Sequence, residues 1–194
     1  LAVPDPALGV KFYEDFGLEG EARSDHVALR CAGRDQDQVL LVEGSRRQLH
    51  HLCFATPAGE LAALQQALEA DGSELLDPPA AAAADGLWFH DPEGVLINVR
   101  AGEAAPWAEA PEWHINSPGH YTRQGERGYP PRDLVIKPRR LGHVLTFTTD
   151  FQRQVDFYTR VLGLRLSDQS EGMVAFLHCQ GGSDHHVLAF LAGD

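Results

Sequence analysis

Apolar positions recur along this chain in two rhythms, one helical and one of period two. Between residues 151 and 162, Phe151, Val155, Tyr158 and Leu162 fall at helical spacing behind Asp150, a natural N-cap. Between residues 58 and 70, Leu61, Leu64 and Leu68 form one helical face, with Thr56 as the candidate N-cap and Pro57 suited to the first turn. Short apolar runs bounded by Gly, Asp and Pro predict strands at 27–31, 39–43, 86–90, 95–100, 174–179 and 186–191. The resulting order is a strand, a helix and then about three strands, repeated, which predicts an α+β fold.

The repetition extends to individual residues. Residues 1–18 match 146–164: Asp5 falls on Asp150, Val10 on Val155 and Phe12-Tyr13 on Phe157-Tyr158. After a one-residue offset Gly17-Leu18 falls on Gly163-Leu164, giving both copies the same stop. A third copy opens at Leu49-His50-His51-Leu52, where His51 sits as His143 does in Leu141-Gly142-His143-Val144, and Thr56 then matches Thr148.

Three βαβββ modules follow, at residues 1–45, 48–102 and 139–194. Modules of this kind pair their sheets, so the first two are expected to form an N-terminal structural domain over 1–102. Residues 103–138 hold Pro106, Pro111, Pro118, Pro130, Pro131 and Pro138 and read as a linker or wrapping arm, whose Trp107, Trp113, Tyr121 and Tyr129 are expected to pack on the modules. Residues 139–194 then form the first module of a second domain. A lone module exposes an apolar sheet face, so a fourth is expected from a longer polypeptide, by on the order of fifty to one hundred residues, or from a dimer partner. The alanine run at 80–84 reads as a loop.

Composition narrows the function classes. With 43% hydrophobic and 23% charged residues in 194, the chain is neither disordered nor fibrous. Sixteen basic against twenty-eight acidic residues give a net charge of −12, which repels phosphate backbones and anionic membranes. Nucleic-acid and membrane partners are therefore not expected, and the apolar runs fall far short of the ~20 residues of a spanning helix. A cytoplasmic setting is expected. Cys31, Cys53 and Cys179 lie far apart without CxxC spacing, suggesting neither a zinc knuckle nor a disulfide framework. No phosphate-binding glycine loop or GxSxG elbow occurs, and Cys179 reads as a packed thiol.

Candidate chemistry rests on histidine, present in ten copies. His143 shares an alternating face with Leu141, Leu145 and Phe147, which points it inward, either as a hydrogen-bonded core residue or as a metal ligand. Asp184-His185-His186 opens a later strand. Neighbours on a strand point to opposite faces, so if His186 faces in, His185 faces out.

The ordered set Leu141-Gly142-His143-Val144, Phe157-Tyr158, Leu162-Gly163-Leu164, Phe176-Leu177-His178-Cys179 and Asp184-His185-His186-Val187-Leu188-Ala189 resembles the catalytic half of type I extradiol ring-cleaving dioxygenases. These belong to the vicinal oxygen chelate superfamily, with glyoxalase I and the bleomycin resistance proteins. Modules one and two, including the turn Asp91-Pro92-Glu93-Gly94, resemble the superfamily more generally. The resemblance implies paired modules and a non-heme Fe(II) site, with Mn(II) as a variant, held by two His and one Glu. His143 matches the first metal ligand, and the remaining His and Glu are expected beyond Asp194. His186 matches the catalytic acid/base, because it precedes Ala189 by three positions as the family's pattern requires. The implied reaction opens a catechol-type ring beside its two hydroxyls, with O2 as co-substrate, in a homo-oligomer.

Module two supplies an internal control. His51 stands at the second-ligand position, but the carboxylate position four residues beyond Gly94 holds Asn98, a poor ligand for ferrous iron. No metal is expected there. Two other readings use the same fold: a glyoxalase-like isomerase or epimerase, and a metal-free small-molecule binder. The Asp184-His185-His186 group favours the dioxygenase, since neither rival needs an acid/base at that strand.

Overall fold

In a computed structural model of the chain, residues 1–80, 82, 85–103, 137–181 and 184–193 are described. Most of the expected Pro-rich arm and of the alanine run lies outside them. Module one comprises β1 (Ala2–Val3), α1 (Pro6–Asp15), β2 (Leu18–Ala22), β3 (Val27–Cys31) and β4 (Asp37–Glu43). Module two comprises β5 (Leu52–Thr56), a 3-10 turn (Ala58–Glu60), α2 (Leu61–Asp71), β6 (Leu87–His90) and β7 (Leu96–Ala101). Module three comprises β8 (Val144–Thr148), α3 (Phe151–Arg160), β9 (Arg165–Ser170), β10 (Val174–His178) and β11 (Leu188–Ala192). No described helix is long and apolar enough to cross a membrane.

The repeat read in the sequence is a repeat of topology. The outer modules form sheets of order β1-β4-β3-β2 and β8-β11-β10-β9, each with its first strand parallel to its last. Their helices start alike: Asp5 accepts a hydrogen bond from Leu8 N at 3.1 Å and Asp150 from Arg153 N at 3.2 Å. They also stop alike, because Gly17 (φ 103°) and Gly163 (φ 73°) turn the chain through the left-handed region.

Module two departs from the pattern. Its described residues give a three-stranded sheet, β5-β7-β6, without the strand that follows the helix in the other two. Residues 73–80 run instead as coil, with Leu76 N donating to Trp88 O at 2.7 Å. Pro78 and Pro79 lack the N–H groups a ladder needs. Thr56 does not cap α2 either. It ends β5, and Pro57, extended at ψ 139°, leads into the 3-10 turn without a side-chain cap.

Burial separates the modules unequally. Leu68, Phe89, Ile97 and Val99 of module two share one core with Val155, Phe157, Tyr158, Leu177, Leu188 and Phe190 of module three. Leu18, Leu29 and Leu41 of module one form a second cluster with Val10 and Tyr13 against it. Phe157 packs on Phe89 with ring centroids 6.2 Å apart, and Phe54 on Tyr158 at 6.5 Å. The matching Phe-Tyr pairs therefore diverge: Phe157 is 6% exposed, whereas Phe12 is 64% exposed on a helix that buries no residue.

A buried carboxylate fixes the contact between modules two and three. Asp91 accepts from Gln154 Nε2 at 2.5 Å and from the Tyr158 hydroxyl at 3.0 Å, while its other oxygen takes the backbone N–H groups of Glu93 and Val95. Four donors offset the desolvation of a charge in this position. Burial, followed by the nearby Asp91 charge, pushes the Tyr158 phenol well above its ordinary pKa, so it stays a donor.

Candidate functional site

β8 runs parallel to β11 with Val144 opposite Leu188, and Val144 N donates to Val187 O at 3.0 Å. This register places the residues just before each strand side by side. His143 precedes β8, His186 lies two residues before β11, and their imidazole centroids are 4.5 Å apart with planes tilted by 48°. The two candidates picked out in the sequence are thus neighbours.

The surroundings of His143 differ from expectation in one respect. Leu145 and Phe147 share one face of β8, opposite Val144, Thr146 and the buried Thr148, and that face is open; Leu141 and His143 precede the strand, outside its alternation. Leu145 is 46% and Phe147 61% exposed, and His143, just before the strand, is exposed as well rather than buried in a core. Alternation determines which side chains share a face; burial of that face needs a second layer. No hydrogen bond within the described residues claims the His143 ring, leaving its nitrogens available to a ligand.

His186 is half-buried. Its ring packs on Phe176 of β10 at 4.8 Å, and its Nδ1 lies 3.1 Å from that of His185. Burial, helped by His143 and His185 and opposed by Asp184, lowers its pKa and favours the neutral ring. The opposite-face rule does not govern His185, because residues 184–187 precede the strand. Its ring also packs on Phe176, at 5.6 Å, although His185 is exposed and only His186 of the two stacks on His143. Ser167 Oγ donates to the His185 carbonyl, and Arg140 pairs with Asp184 at 2.5 Å, tying the segment to both sides. The role of Phe176 as a common platform was not read in the sequence. Its register opposite Ala189, a small residue that leaves room beside it, is the structural signal.

In module two, His51 packs edge-on to Trp88 at 5.1 Å, and its Nδ1 lies 2.8 Å from that of His50. Burial first, then the neighbouring His50, N-terminal and His26 charges, lower its pKa to about 4. Asn98 is buried and occupied: its amide donates to Asp85 O at 3.1 Å and Leu87 O at 3.4 Å, and Cys53 Sγ donates to its carbonyl at 3.1 Å. A carboxylate could not make the first two bonds. Among the described residues no three His, Cys, Asp or Glu side chains gather in a metal-binding group.

Comparison with known proteins places these modules. Residues 140–193 match the profile of the Glyoxalase/Bleomycin resistance protein/Dioxygenase superfamily. Over 194 residues the chain is 39% identical to Metapyrocatechase 2 of Cupriavidus necator, covering 98% of this chain and 59% of that protein. The chain thus spans about three fifths of the length of this curated relative. Among solved structures, the 2,3-dioxygenase LapB of Pseudomonas sp. KL28 superposes with a TM-score of 0.71 at 22% identity, over 99% of this chain and 67% of that one. The Mn(II)-bound glyoxalase of Novosphingobium aromaticivorans superposes with a TM-score of 0.69 at 24% identity, over 99% of this chain and 59% of that one. These likenesses show a shared fold. From the profile match across β8 to β11 and the 39% identical relative, residues 140–193 carry a module of the Glyoxalase/Bleomycin resistance protein/Dioxygenase superfamily, and the chain as a whole is similar to a metapyrocatechase.

Proposed function

We propose that this chain is part of an extradiol dioxygenase that opens a catechol-type ring beside its two hydroxyls, adding both atoms of O2. The observation that carries the reading is the contact between His143 and His186, in a segment that matches the superfamily profile and a chain that resembles a metapyrocatechase. His143 fits a metal ligand, since its ring is exposed and without a hydrogen bond among the described residues. It would hold Fe(II), or Mn(II), together with a His and a Glu contributed by a fourth module outside this sequence. The bound metal would supply Lewis-acid binding of the diol oxygens and a place for dioxygen.

The chain's own residues carry the proton chemistry. His186, kept neutral by partial burial, accepts a proton at a ring nitrogen from one substrate hydroxyl and returns it later in ring opening. Phe176 holds the His186 ring against His143 and gives the aromatic substrate an apolar wall. The Arg140–Asp184 ion pair anchors the approach to β11. The protein works in the cytoplasm as a homo-oligomer, in line with its three free cysteines and the open apolar face of β8.

Oxygen uptake decides the reading. The polypeptide with its fourth module, loaded with Fe(II) under reducing conditions, is expected to consume one O2 per catechol and form a yellow ring-opened product. No uptake with any catechol would overturn it.

A further inference from the structure

We propose that Glu93 of module two is a positioning residue for β8, the strand that presents His143. The proposal rests on the reading of His143 as a functional group. Among the described residues β8 pairs with β11 alone and is an edge strand. Side chains of the two preceding modules hold its two ends. At the entry, Gln38 Oε1 of module one accepts from Leu141 N at 2.7 Å, two residues before His143. At the exit, Glu93 Oε1 accepts from Thr148 Oγ1 at 2.6 Å, Thr149 N at 2.8 Å, Asp150 N at 3.0 Å and Thr149 Oγ1 at 3.1 Å.

Glu93 works from a stiff base. Its turn closes with Gly94 N donating to Asp91 O at 2.9 Å, and Asp91 is itself bound to Gln154 and Tyr158 of α3. The hydrogen bonds from Thr148 and Asp150, followed by those from Thr149, outweigh the opposing effect of burial and lower the Glu93 pKa to about 2, so the carboxylate is charged at neutral pH.

The internal repeat supplies the control. At the positions of Thr148 and Thr149, module one has Val3 and Pro4, which offer no hydroxyl and, at Pro4, no N–H. Module two keeps the first hydroxyl, at Thr56, but has Pro57 in the second position, so the full set of donors for a clamping carboxylate stands only in the module that carries His143. Edge strands held by one neighbour are prone to slip, and a one-residue slip turns every side chain to the other face. For β8 that slip would take His143 away from His186.

The test is solution NMR of the 194-residue chain with hydrogen exchange. Wild type should show ring-to-ring nuclear Overhauser contacts between His143 and His186. Glu93→Gln, which loses the charge and one acceptor oxygen, should weaken those contacts at least twofold. It should also speed amide exchange in β8 about tenfold or more while leaving β10 unchanged, and Glu93→Asp should recover part of both effects. If Glu93→Gln does not fold, Thr148→Val with Thr149→Val removes the hydroxyl donors from the other side and is read the same way. Wild-type contacts and exchange in the variants would overturn the proposal, as would an equal rise of exchange in β8 and β10, which marks general destabilisation. None of these readouts uses iron or catechol, so failure here is separate from failure of the dioxygenase reading.

Discussion

The imidazoles of His143 and His186 lie 4.5 Å apart because β8 and β11 run parallel in a register that pairs Val144 with Leu188. Two sequence-distant residues become neighbours through the βαβββ topology, which places the first and last strands of a module side by side. Phe176, on the strand next to β11, completes the contact by packing on His186.

His186 and His185 should separate in activity. In the complete, iron-loaded protein, His186→Ala is expected to retain iron and catechol binding and to lose on the order of a hundred- to ten-thousand-fold in ring-opening rate, the usual loss for a general acid/base. His185→Ala should lose far less, because its exposed ring does not stack on His143. Equal losses in steady-state oxygen uptake would show that the pair acts without the division assigned here.

His143 and His51 should separate in metal content. His143→Ala is expected to abolish stoichiometric iron in the complete protein, and His51→Ala to leave it unchanged. Asn98, bonded to two carbonyls and a thiol, offers His51 no carboxylate partner. Elemental analysis after desalting checks the contrast; matching iron loss in both variants would remove the assignment.

His51 should also make stability depend on pH. Its pKa is lowered from 6.5 to about 4, so the unfolded chain binds a proton more readily than the folded one between those values. Its contribution is intact above pH 6.5 and is lost progressively as pH falls towards 4. Urea midpoints measured across this window should fall on acidification, and the fall should be shallower in His51→Gln.

The repeated phenylalanines should differ in cost. Phe157→Ala removes a ring buried against Phe89 and is expected to destabilise by about 3–5 kcal/mol. Phe12→Ala alters an exposed ring and should stay within about 1 kcal/mol. Chemical denaturation of the two variants provides the comparison. A large loss at Phe12 would mean that α1 has a partner in solution.

Asp91 should be worth more than a surface carboxylate. Asp91→Ala strands the Gln154 amide and the Tyr158 hydroxyl in the core, at an expected cost of about 3–5 kcal/mol. Tyr158→Phe removes one donor of four and should cost about 1–2 kcal/mol. Similar midpoints for the two would show that water replaces the lost partners.

What the sequence determined by itself is what short-range physics controls. Asp5 and Asp150 cap helices because a carboxylate three residues before a free N–H satisfies it wherever the chain lies. Gly17 and Gly163 end those helices through positive φ, and alternation sets Leu145 and Phe147 on one face of β8. Tertiary structure decided what depends on distant partners. The same Phe-Tyr pair is core in α3 and surface in α1, since only α3 meets module two among the described residues. The face of Leu145 and Phe147 is open because burial requires a layer that alternation cannot supply. His185 and His186 share Phe176 because the β ladder begins after them, and the carboxylate of Glu93 reaches donors that follow it by more than fifty residues. No local pattern encodes such contacts, because they exist only once the modules have packed.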